Sequence, residues 1–179
     1  MDAKRNPLMT RLAFSLLVGL LALLAVLGLL GRAFGEGENR LLKRAPAFSL
    51  QDTEGHTVKL ADFTGKALIV SFVVTWDEPS LKQIKILSEL LKEHTDKEFA
   101  ILGVAVEQTG KQTAKAYVNR EHPSFPFLIA DYEVIQAFGG LTAVPTTFII
   151  DKDHNAVQRH VGIIDKKTLE AELKPTAKP

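Results

Sequence analysis

Two stretches of this chain, ALIVSFVV at Ala67–Val74 and FAILGVAV at Phe99–Val106, contain no charged residue and are rich in β-branched side chains. A strand with one wet face alternates apolar and polar residues. A strand without that alternation is covered on both faces. Between the two runs, Leu81, Ile84, Leu87, Leu90 and Leu91 recur at helical spacing up to about His94, and Pro79 suits a first helical turn. The three segments read as a strand–helix–strand unit, so the chain needs a sheet with cover on each side.

The flanking segments extend that sheet. Phe48 and Leu50 alternate with polar neighbours, and Asp52–Gly55 supplies turn chemistry before Thr57–Lys59, which predicts a β-hairpin. Lys111–Arg120 reads as a helix preceded by Gly110, Phe127–Ala130 as a short strand, and Tyr132–Phe138 as a short helix stopped by Gly139-Gly140. Thr146–Ile150 and Ala156–Val161 flank the turn Asp151–Asn155 as an antiparallel pair, and Asp165 can cap a last helix running to Leu173. Alternating strands and helices followed by a terminal hairpin predict an α/β domain with a mixed central β-sheet flanked by helices. There is no internal repeat.

A third apolar run cannot belong to that domain. Leu12–Leu30 carries no charge and has no polar face, and as a helix it spans roughly 30 Å, the thickness of a bilayer core. Lys4, Arg5 and Arg11 precede it, which places the N-terminus in the cytoplasm and the rest outside. A cleaved signal peptide would use Gly31-Arg32-Ala33, but signal-peptide apolar cores span about 7–15 residues and this run is longer, which favours an uncleaved anchor. The organisation expected is a cytoplasmic N-terminus at 1–11, a transmembrane anchor at 12–31, a glycine- and charge-rich tether at 32–44, a folded domain at 45–173 and a tail at 174–179. The corresponding location is a cytoplasmic membrane, single-pass, with the C-terminal domain extracytoplasmic.

Charge and composition exclude several functions. From residue 33 onward there are 18 basic and 20 acidic residues, a formal −2, with no basic stripe to suit nucleic acid. His56, His94, His122, His154 and His160 show no zinc-ligand spacing, and with no cysteine in the chain neither a thiolate metal site nor a disulfide is available. No cofactor is expected.

The order of elements resembles the thioredoxin fold. Three phrases, Ala45–Phe72, TWDEPS at Thr75–Ser80 and LTAVPTTFIIDKD at Leu141–Asp153, resemble the membrane-anchored TlpA/ResA-like branch. The first phrase is shared with the AhpC/TSA-like redoxin domains. In such proteins a first cysteine stands just before a helix, where amide N–H groups and the helix dipole stabilise its thiolate, and a second resolves the mixed disulfide one turn later. The resemblance puts Asp77 and Ser80 at those positions, with Trp76, Glu78 and Pro79 as neighbours. It also implies that Pro145 is cis, faces the helix start, and leaves Val144 to offer backbone hydrogen bonds to an extended peptide.

Neither replacement can do the family's chemistry, because exchange needs sulfur on both sides. Asp77 reads as a helix N-cap, Ser80 as a solvent-facing or capping hydroxyl, Glu78 as a solvated charge, and Trp76 as a residue that packs on the domain or covers a binding surface, packing being the simpler. No histidine near the motif completes a hydrolase triad. Pro145 serves either folding alone or a retained peptide groove with Val144 and Trp76. The expected function is therefore a tethered, cysteine-less, non-catalytic domain that binds an envelope protein or peptide. The alternatives are a thiol-disulfide or peroxide-handling oxidoreductase acting by an unidentified route, and a structural subunit of a membrane assembly.

Overall fold

In the hairpin, β1 (Ser49–Gln51) and β2 (Thr57–Lys59) pair antiparallel. The Asp52 carboxylate builds the turn, accepting the N–H groups of Glu54 and His56 at 2.9 and 2.8 Å. After a 3-10 turn at Leu60–Phe63 come β3 (Ala67–Val73), α1 (Glu78–Glu93) and β4 (Phe99–Ala105). The chain continues through α2 (Lys111–Glu121), β5 (Phe127–Ile129), α3 (Tyr132–Ala137), β6 (Thr146–Ile150), β7 (Ala156–Val161) and α4 (Lys166–Thr176). The computed structural model describes residues 44–94, 99–107 and 111–176. The expected N-terminus, the anchor at 12–31, all but the end of the tether and the last three residues of the tail lie outside the described residues; among the described residues no helix is long and apolar enough to cross a membrane.

Five strands form the main sheet in the order β5-β4-β3-β6-β7. The two charge-free runs lie side by side and parallel, Ala67 opposite Phe99 through Val73 opposite Ala105. β5 continues the parallel half, while β6 and β7 are antiparallel. The expected mixed sheet is present, and β3 at its centre is buried at every position. Odd and even residues of β3 face different layers. Ile69 and Val73 pack with Ile84, Leu87 and Leu90 of α1, Tyr117 of α2 and Leu169 of α4. Leu68, Val70 and Phe72 pack with Phe48 and Leu50 of the hairpin and with Val134 and Phe138 around α3. The rings of Phe72, Phe138 and Phe148 meet edge to face at 5.0–5.9 Å between centroids.

Two hydroxyls face each other inside this apolar sheet. Ser71 on β3 is directly opposite Thr147 on β6, and their side-chain oxygens are 2.9 Å apart, so each satisfies the other. The stop after α3 follows from Gly139 and Gly140, both in the left-handed region at φ +87° and +73°. α4 runs three residues past the expected Leu173, because a helix's extent is set by its hydrogen bonds and not by the apolar pattern from which its end was read.

Candidate functional site

The parallel strands β3, β4 and β5 share a direction, so the segments leaving their C-terminal ends gather on one edge of the sheet. That edge of an open α/β sheet is where ligands usually bind. The antiparallel neighbour joins it: Thr146, the first residue of β6, is opposite Phe72 near the end of β3. Trp76–Ser80 and Val144-Pro145 therefore come together from distant parts of the chain, and the Val144–Pro145 peptide bond is cis. The Pro145 carbonyl accepts the Gly162 N–H at 2.8 Å, and the Thr146 hydroxyl donates to the Ala143 carbonyl at 2.7 Å, fixing the loop on both sides.

Asp77 caps α1. Its backbone is extended, and its Oδ1 accepts the Ser80 N–H at 2.9 Å. Pro79 falls in the first turn, where its missing N–H removes nothing from the helix. Glu78 and Pro79 are both exposed.

Two readings from the sequence require correction. Ser80 is not a solvent-facing hydroxyl: it is fully buried, and its Oγ accepts the Val74 N–H at 3.2 Å, closing the turn between β3 and α1. The physical reason is its place on the inner stripe of α1, four residues before Ile84 and seven before Leu87. Trp76 does not pack into the core; it is 68% exposed. Asp77 begins the helix immediately after it, and the indole is left on the rim of a groove.

That groove is lined by Val74, Trp76, Val106, Ile135, Leu141, Ala143 and Val144, and encloses about 410 Å³. Every lining residue is apolar. Trp76 and Val144, expected from the resemblance to serve a partner site, lie on it together, whereas Asp77, Glu78, Pro79, Ser80 and Pro145 do not line it.

Two functional neighbours were missed. Glu107 follows β4 and accepts both the N–H and the hydroxyl of Thr75 on one oxygen, Oε1, each at 2.7 Å. Its Oε2 is shielded and has no partner. Its signal was available: an acidic residue directly after a buried strand arrives at the same sheet edge as the residues after β3. Gln83, fully buried below the helix start, accepts the Ile164 N–H at 2.8 Å and holds the segment before α4 against α1.

The chemistry this arrangement supports is limited. No histidine lines the groove, and among the described residues no cluster of His, Asp and Glu could hold a metal ion. The hydroxyl of Ser80 is inaccessible and already hydrogen-bonded, and one oxygen of Asp77 is committed to the cap.

The sheet order, the strand-to-helix turn and the cis-proline loop define a thioredoxin-fold domain, with a carboxylate and a hydroxyl where the resemblance places two thiols. The chain belongs to the AhpC/TSA family, whose model matches residues 41–159. It is 33% identical to the thiol-disulfide oxidoreductase ResA of Bacillus thuringiensis (strain Al Hakam) over 132 residues, covering 74% of this chain and 76% of that protein. It is equally identical, at 33% over 134 residues, to the thioredoxin-like protein YneN of Bacillus subtilis, covering 73% and 77%. Among solved structures, a thioredoxin-family thiol:disulfide interchange protein from Chlorobium tepidum TLS aligns with a TM-score of 0.68 at 30% identity, covering 76% of this chain and 97% of that one.

Proposed function

We propose that this protein is a membrane-tethered, extracytoplasmic thioredoxin-like domain that binds an envelope protein or peptide in the Trp76–Val144 groove and performs no thiol-disulfide exchange. One observation carries the reading. The frame of an exchange site is kept while its sulfur is absent from the whole chain, and the replacing side chains are tied into the fold. An apolar groove with an exposed tryptophan at its rim supports binding, since aromatic anchors dominate protein recognition surfaces. The apolar run at Leu12–Leu30 supports the tether, and holding the domain near other membrane components raises its effective concentration toward them.

The relatives' names favour a second reading, a thiol-disulfide oxidoreductase. In this chain it would need a route other than a mixed disulfide, for which there is no residue. An insulin-reduction assay separates the two. The full chain is expected to be silent, and the Asp77→Cys/Ser80→Cys variant to gain activity if it folds and closes a disulfide. Turnover by the unaltered chain would sink the non-catalytic reading.

A further inference from the structure

We propose that the segment bound in the groove is cationic as well as apolar: an extended stretch of a partner protein in which lysine or arginine alternates with aliphatic residues. This deepens the groove reading above and rests on it. The warrant is the charge of the groove's rim. Each of the three parallel strands is followed by an acidic residue as it leaves the sheet at this edge: Asp77 after β3, Glu107 after β4 and Asp131 after β5. Asp77 adjoins the groove residue Trp76, Glu107 adjoins Val106, and Asp131 lies one turn before Ile135 in α3. Glu78 and Glu133 add two more carboxylates in the first turns of the same helices. Lys82 and Lys111 do not line the groove, and the cation beside it, Arg159, is engaged: its guanidinium donates to the Gly140 carbonyl at 3.2 Å, next to Leu141, and lies over the Phe148 ring.

The local hydrogen bonding leaves acceptors free. Asp77 and Asp131 each use Oδ1 to cap a helix, taking the N–H of Ser80 at 2.9 Å and of Val134 at 2.7 Å. Glu107 places both of its Thr75 contacts on Oε1, and its shielded Oε2 has no partner. The shielded Glu107 Oε2 contributes charge rather than a contact, and the second carboxylate oxygens of Asp77 and Asp131 are the acceptors that a lysine or arginine of a bound segment would meet. The apolar floor takes the alternate side chains of an extended strand, while the acidic rim attracts a basic partner and repels an acidic one. Floor and rim together define the occupant.

Trp76 is the sole tryptophan of the chain and stands on the rim, so its fluorescence reports occupancy directly. Three end-blocked extended peptides with valine and leucine at alternate positions, and lysine, glutamine or glutamate between them, are titrated into the full chain in non-ionic detergent. The lysine peptide is expected to shift Trp76 emission at the lowest concentration, about tenfold below the glutamine peptide at low salt, with the gap closing as salt rises. Asp77→Asn and Glu107→Gln keep the cap and the Thr75 acceptor. Each is expected to weaken the lysine peptide roughly two- to fivefold and leave the glutamine peptide unchanged. Equal binding of the lysine and glutamine peptides would overturn the cationic preference while leaving the groove reading standing. Failure of all three to move Trp76 emission would overturn the groove reading and this proposal with it.

Discussion

Asp77 and Ser80 stabilise the same turn by different means. The Asp77 carboxylate satisfies a free N–H of the first helical turn, and the Ser80 hydroxyl satisfies the N–H of Val74, buried at the end of the central strand. Removing a cap from Asp77→Ala should cost about 0.5–2 kcal/mol, and Asp77→Asn much less, since asparagine also caps. Ser80→Ala should cost about 1–3 kcal/mol, because it strands a buried donor. Thermal and urea denaturation of the three variants tests the order. An unaffected Ser80→Ala protein would show that the Val74 N–H does not depend on this hydroxyl. At this scale the capping role of Asp77 was legible, since an aspartate before an apolar periodic run has few other uses. The burial of Ser80 was less so. A serine in the first turn reads as polar, and only its i, i+4, i+7 alignment with Ile84 and Leu87 betrays the inner face. Trp76 misled for the converse reason: a large aromatic ring is usually buried, and its exposure depends on how the turn aims it.

Elements were read best where turn chemistry marked their ends. β6 and β7 have the limits expected of them because Asp151 folds the turn between them, accepting the N–H groups of Asp153 and Asn155 at 3.0 and 2.7 Å. Which strand lies against which ring was not legible, and Gly103 shows why. It sits in the middle of β4, and a Cβ there would stand 3.0 Å from two atoms of the Phe127 ring and 3.1 Å from the Phe125 ring. Those two rings stack at 5.4 Å between centroids, so neither yields easily. Nothing around Gly103 in the sequence announces residues more than twenty positions away; the contact exists only once β5 pairs with β4 and Phe127 falls opposite Gly103. Gly103→Ala should therefore destabilise the domain by roughly 1–3 kcal/mol through overpacking, despite alanine's easier backbone in a strand. Combining it with Phe127→Leu should recover part of the loss, a coupling that a double-mutant cycle of melting temperatures measures. Strict additivity of the two substitutions would contradict the contact.

Across the whole molecule, the order of strands and helices was readable because each buried run and each turn is locally marked. The site was readable only as a frame, since its groove is assembled from the ends of β3, β4 and β6 and from α3. That assembly also has a direction. The Ala45 N–H donates to the His154 carbonyl at 2.8 Å, so the chain enters the domain beside the β6–β7 turn. This is the Leu68–Ile150 end of the β3–β6 pair, whereas the groove opens beyond the Phe72–Thr146 end. The expected topology follows from Lys4, Arg5 and Arg11 before Leu12–Leu30. A reporter that works only outside the cytoplasm, fused after Pro179, should be active, and one that works only inside should be silent. Carbonate washing should leave the protein with the membrane, and detergent should release it. A cytoplasmic reporter signal would reverse the topology, and release by carbonate alone would remove the anchor.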